Sequence, residues 1–129
     1  MAQDIAALSP EVLAFLGERH LATLTTLRSD GSPHVVPVGF SYDPADRLVR
    51  IITPAGSVKA RNAARGGRAA VSQVDGPRWL TLEGAVSLAT AVDEIAAGEA
   101  AYASRYQTPR ERTDRVVIHI AVDKIMGRG

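Results

Sequence analysis

Three turn signals punctuate β-forming runs, and they constrain this chain more than any other feature. Asp30-Gly31 splits "HLATLTTLRSDGSPHVVPVGFSYD", "DPAD" at 43–46 leads into "RLVRIITP", and "DGPR" at 75–78 joins "RAAVSQVD" to "WLTLEGAVSLAT". Gly, Pro and Asp suit tight turns, because they supply a positive or preset φ, or a side chain that bonds the local backbone. Turns this short join antiparallel neighbours; a parallel crossover needs a dozen or more residues. The first three strand-like runs are therefore expected to pair in succession. Two further strands flank "DGPR", and "VVIHIAVDKI" at 116–125 alternates well enough for a sixth.

Helices fill the longer connections. Ser9-Pro10-Glu11 reads as an N-cap, a proline at the first helical position and a carboxylate in the first turn, and Val12, Leu13, Phe15 and Leu16 give one apolar face ending near Gly17. A second helix spans 57–65, with Ser57 as N-cap and Gly66-Gly67 as the stop. Thr90 and Asp93 fit the start of a third, which runs until Pro109 breaks it; "RERTDR" is then a charged loop. No repeat or linker interrupts the chain, so residues 1–129 are read as one domain, a mainly β, six-stranded antiparallel barrel with short helices. Pro37, inside "HVVPVGF", belongs at an edge or a bulge, where backbone freed from the ladder can face a ligand.

Composition removes whole classes of function. Without cysteine there is no disulfide framework, thiolate metal site or cysteine nucleophile. A net charge of +1 with interspersed signs lacks the basic stripe of a nucleic-acid binder. The N-terminus has no basic leader, and Asp4, Ser9 and Glu11 interrupt its apolar stretches, so neither a signal peptide nor a membrane span is expected and a cytoplasmic protein is. Aromatics make up only 5% of residues, so the core is built from Ala, Val, Leu and Ile; burial at a subunit interface would help such a core, which favours an oligomer.

The stretch "TPAGSVKARN" at 53–62 carries the sharpest chemical hint. Lys59 sits in the first turn of a helix, where partial positive charge and unpaired N–H groups disfavour a cation. Either its ammonium reaches out to solvent, or an anion shares the place; Thr53 and Ser57 would then add hydroxyls to a small phosphate cradle. No Walker A loop, G-x-G-x-x-G or G-x-S-x-G is present. His20, His34 and His119 lie on separate strands without metal-ligand spacing, so no metal is expected. Trp79, the only tryptophan, is an amphipathic core or interface residue or a stacking platform, and Gln73 either faces solvent or offers its amide to a heteroaromatic ligand.

These stretches together resemble the split β-barrel flavin and deazaflavin family related to pyridoxamine-phosphate oxidase. Within it the chain is most similar to the actinobacterial oxidoreductases that use coenzyme F-420 to reduce biliverdin. "LTTLRSDGSPHVVPVGF", "RIITPAGSVKARNAARGGRAAVSQVDGPRWLTLEGAV" and "ASRYQTPRERTDRVVIHIAVDKIMG" carry the resemblance. It implies a homodimer with cofactor sites at the subunit seam. Thr53, Ser57, Val58 and Lys59 would hold the cofactor phosphate, with Asn62 nearby. Val36, Pro37 and Val38 would lie along the ring, and Gln73 and Trp79 would approach from the fourth and fifth strands, the latter two from either subunit. Val58 stands where flavin-dependent oxidases tend to carry an arginine, and the chain lacks their C-terminal Arg and His segment, which argues against the oxidase reaction. The expected function is hydride transfer from reduced coenzyme F-420 to an unsaturated acceptor, with the linear tetrapyrrole biliverdin foremost. The alternatives are an FMN-binding reductase or oxidase, and a non-catalytic carrier of a flavin or tetrapyrrole. No catalytic residue is named by this reading.

Overall fold

Strands are set by turns, and each turn forms where its residues allow. The computed structural model describes residues 1–129. Helix α1 (Pro10–Gly17) starts at Ser9, whose hydroxyl accepts from the Val12 amide, and Val12, Phe15 and Leu16 are buried. Strands β1 (Ala22–Leu27) and β2 (Pro33–Val38) form a hairpin through Gly31 at φ +86°, followed by β3 (Ser41–Asp43) and β4 (Leu48–Pro54). Helix α2 (Val58–Ala64) is capped by Ser57, and Gly66 and Gly67, both at positive φ, end it. Strands β5 (Arg68–Asp75) and β6 (Arg78–Ala89) turn at Gly76, and helix α3 (Val92–Arg105) leads to β7 (Arg115–Arg128). Helix α3 begins after Ala91 with no side-chain cap, so Thr90 does not serve as its cap; Asp93 and Glu94 in the first turn favour the positive end of the helix instead.

There are seven strands, not six, in one open antiparallel sheet ordered β2-β1-β5-β6-β7-β4-β3. The run 33–43 is the source of the difference. It breaks at Gly39-Phe40, and its two halves pair at opposite edges, β2 with β1 and β3 with β4. Successive runs do pair as expected, the first with the second through β1 and β2 and the second with the third through β3 and β4, but the two pairings lie at opposite edges of the sheet. Only two residues separate the two edge strands, so the sheet must curl until its edges nearly meet. A split barrel results.

One row shows how the curl is filled. Leu24, Val71, Leu82 and Ile125 lie opposite one another across β1, β5, β6 and β7, and none exceeds 1% exposure. Their burial, at roughly 25 cal/mol per Å² of apolar surface, is the main stabilising force. At Gly84, beside a register shift, a Cβ would stand 1.8 Å from the Ala121 carbonyl oxygen, so only glycine lets β6 and β7 approach there.

The seam between the edges is locked from the end of α3. Arg105 donates to the carbonyls of Glu18 and Phe40 and to Gln73 Oε1, at 2.7–2.8 Å, and its guanidinium lies over the Phe40 ring. Tyr106 donates its hydroxyl to the His20 carbonyl and receives the Phe40 amide. Two adjacent residues thereby tie α1, the chain break and β5 together. No helix is long and apolar enough to cross a membrane.

Candidate functional site

A short strand opens the site. Strand β3 pairs only with Leu48–Arg50, so Ile51–Pro54 run on along β4 with no ladder partner on that side. Across the gap stands the end of β2, itself an edge strand paired only with β1. Pro37 sits here, exposed on an edge, where a residue without N–H costs the sheet nothing. Between the edges lies a groove of about 400 Å³, within the usual range for small-ligand sites. Its floor is Pro37, Val38 and Gly39, one wall is Ile51–Pro54 with Lys59, and the other is Tyr102, Gln107 and the loop after α3.

Gly39 permits this narrow waist. A Cβ there would meet Tyr102 at 3.0 Å and Tyr106 at 3.1 Å, so a side chain would displace these two tyrosine rings, which pack tilted against one another.

Charge distinguishes the groove. Lys59, Arg110, Arg112 and Arg115 line it, and no carboxylate does. Arg115 is buried and bonded to Glu99 at 2.8 Å, and Arg112 is chelated by both oxygens of Asp114. Lys59 is half-buried and has no ion-pair partner; burial lowers its pKa. An unpaired, partly desolvated ammonium is a group in want of an anion. Beside it the Thr53 and Ser57 hydroxyls share a 2.9 Å bond, and Ser57 also accepts from the Ala60 amide as the cap of α2. Thr53, 3% exposed and lining the groove, keeps bonding capacity toward a ligand; Ser57 is largely spent on the cap. The donor set fits a phosphate-bearing cofactor, with Lys59 as its charge. A larger open depression, about 880 Å³, lies on the 110–114 loop and is lined by no hydrophobic residue.

The structure gathers Pro37, Val38, Thr53 and Lys59 at the groove, and leaves the other predicted residues outside its lining. Val36 packs against the core, and Val58 is 40% exposed at the start of α2. Asn62 is 4% exposed, donating to Thr26 Oγ1 and accepting from Arg65, so its amide is occupied within the fold. Gln73 neither faces solvent nor reaches the groove. It lies on the inner face in register with Ala22 and Leu80, donating to the Phe15 carbonyl and accepting from Arg105. Trp79 stands on the outer face of β6, opposite Val74 and Arg128 and three strands from β2. Tyr102, Gln107, Arg110, Arg112 and Arg115 were missed. The spacing of arginines at 110, 112 and 115 was visible, but a loop's direction is not encoded in its spacing.

His20 lies ahead of β1 rather than on a strand, and carboxylates stand beside it. It bonds Glu18 at 2.9 Å, and atoms of Glu18, His20 and Asp75 lie within 4.8 Å of one another. Arg78 occupies the same cluster, bonding both carboxylates, and with His20 it draws the Glu18 pKa down to about 2. These acids already have their cation.

Comparison with known proteins agrees with this architecture. A curated relative, "F420H(2)-dependent biliverdin reductase" of Mycobacterium tuberculosis, is 51% identical over 127 residues, 98% of this chain and 93% of that protein. Among solved structures, the conserved hypothetical protein Rv2991 of Mycobacterium tuberculosis superposes with TM-score 0.79 at 21% identity, covering 99% of this chain and 89% of the other. A structure titled "F420 Reductase" superposes at 0.71 with 24% identity, covering 88% and 94%. The heme storage protein HutZ of Vibrio cholerae superposes at 0.74 with 16% identity, covering 94% of both chains. At these identities the structural matches speak to the fold alone. The family model described as pyridoxamine 5'-phosphate oxidase matches residues 8–128, and the chain belongs to that family.

Proposed function

We propose that the protein is a coenzyme F-420-dependent reductase whose acceptor is biliverdin. The observation that carries this reading is the unpaired Lys59 in a groove free of carboxylates, in a chain half identical to a reductase of that name. Lys59 and Thr53 would take the cofactor phosphate, and the exposed edge at Pro37 and Val38 would seat the ring. When bound, the reduced deazaflavin supplies a hydride. A proton from water, which reaches the open side of the groove, completes the two-electron reduction of the acceptor. The chain's own contribution is to bind, align and partly desolvate the two reactants.

The working unit in this reading is a cytoplasmic homodimer. The outer face of the sheet carries a row of Pro37, Thr23, Ser72, Thr81 and Met126, with Val35, Thr25 and Ala70 beside it. The helices pack elsewhere: α1 on β3, α3 on β3, β4 and β7, and α2 on β1, β6 and β7. Charge enters this outer face only at its far side, where Glu83 and Lys124 continue the Ala70 row and Arg128 lies opposite Trp79, and the small and apolar part, with Val35 at 55% and Val74 at 68% exposure, suits a second copy. Pro37 belongs to both this face and the groove, so the site would open onto the seam, where Trp79 of a second copy could approach.

Equilibrium titration should show tighter binding of coenzyme F-420 than of FMN, and the reduced cofactor should bleach the long-wavelength band of biliverdin. Tighter FMN binding would overturn the cofactor assignment, and binding of both ligands without turnover would make the protein a carrier. Sedimentation of wild type against Val35→Glu tests the dimer; an unchanged mass for the two would exclude this face as the interface.

A further inference from the structure

The groove holds one more cation than the cofactor phosphate needs. Of its four basic side chains, Arg115 is committed to Glu99 and Arg112 to Asp114, which leaves Lys59 and Arg110 without an ion pair, Arg110 also bordering the neighbouring depression with Glu99, Glu111 and Asp114. The two free cations differ in setting. Lys59 is half-buried against Thr53 at the closed wall, whereas Arg110 is exposed on the loop of the opposite wall. Gln107, Pro109 and Arg110 follow α3 directly, and the end of α3 is clamped by Arg105 and Tyr106. Arg110 is therefore carried by a loop with one anchored end and stands at the mouth of the groove. A single phosphate held by Lys59 does not use it, which leaves it for a carboxylate, of the cofactor's acidic tail or of the acceptor.

Resting on the reductase reading above, we propose that Arg110 is a specificity-determining residue that binds a carboxylate of the acceptor. Biliverdin carries two propionates on its central rings. An acceptor stacked over a ring seated at Pro37 meets the groove from its open side, where its carboxylates would find the loop. Arginine suits this role, since its planar fork pairs with both carboxylate oxygens and keeps its charge at any working pH. Arg112 is the weaker candidate, because Asp114 holds its Nε and Nη2 and neutralises its charge. The recognised class is thus an anionic, carboxylate-bearing acceptor, and a neutral tetrapyrrole should be a poorer ligand.

The test compares biliverdin with its dimethyl ester, which keeps the chromophore and removes both charges. With wild type loaded with coenzyme F-420, the free acid should be favoured by about five- to tenfold in kcat/KM, the range for an exposed to half-desolvated charge pair. In Arg110→Gln the acid-to-ester ratio should fall to within about twofold of unity, and Arg110→Lys should restore part of it. A wild-type ratio near one, or a ratio retained in Arg110→Gln, overturns the proposal. A raised KM for the deazaflavin with the ratio retained assigns Arg110 to the cofactor instead. If neither tetrapyrrole is reduced, the same ratio is read from equilibrium binding to the cofactor-loaded protein by tetrapyrrole absorbance. A binding preference that Arg110→Gln abolishes then upholds the role of Arg110 while the reductase reading fails, and equal affinities reject it.

Discussion

Replacing Lys59 with Met should weaken cofactor binding while leaving the empty protein as stable as before, or more so. The ammonium has no anionic partner and is partly desolvated, so in the free protein it contributes an unfavourable term. Two unit charges 4 Å apart interact by about 4 kcal/mol at an effective dielectric near 20. Desolvation of the phosphate offsets part of that, and a charge-assisted hydrogen bond typically leaves about 1.5–3 kcal/mol. The expected loss is therefore about 10- to 150-fold in affinity for coenzyme F-420. Titration followed by deazaflavin fluorescence measures it, and thermal unfolding of the cofactor-free protein supplies the second sign. The pH dependence has a direction too. Because the folded pKa lies below the ordinary 10.5, the unfolded chain binds more protons between the two values, and wild-type stability should rise with pH across that window. Bound phosphate favours the protonated amine, so cofactor affinity should fall as pH rises through the lowered pKa. Wild-type affinity in Lys59→Met, or a variant that melts several degrees lower, would refute the argument.

Gly39→Ala should widen the waist by pushing Tyr102 and Tyr106 aside, at a cost of about 1–3 kcal/mol in unfolding free energy measured by urea denaturation. Arg105→Met should cost more, about 3–5 kcal/mol, because it leaves Gln73 Oε1 without its donor and the Phe40 carbonyl with only the longer 3.2 Å contact from Tyr106; a loss under 1 kcal/mol would exclude the clamp. Glu18, held down to about 2 by Arg78 and His20, adds stability at pH values above the ordinary 4.5 that is lost as pH falls toward 2, so Glu18→Gln should flatten the acid limb of a stability–pH curve.

Local chemistry was written plainly where neighbouring residues decide it. Ser9 and Ser57 cap helices because a hydroxyl one position ahead of a helix meets amides only three residues away. Gly31, Gly66 and Gly76 mark turns for the same local reason. Lys59 could be singled out because its discomfort is a property of one turn. Gln73 was ambiguous because alternation in "RAAVSQVD" allows either face inward; the tertiary partners Arg105 and Phe15 make the inward choice tolerable by satisfying its amide.

The amino-acid order by itself determined the three helices, most of the strands and the turns between them, and that an uncomfortable cation heads α2, since each depends on contacts within a few residues. The folded chain alone decided that 33–43 breaks between two sheet edges, that β3 stops short to leave a groove, and that Arg110, Arg112 and Arg115 face Pro37 across it. Those outcomes follow from how the sheet curls and which edges meet, and a curl is set by the packing of all strands at once.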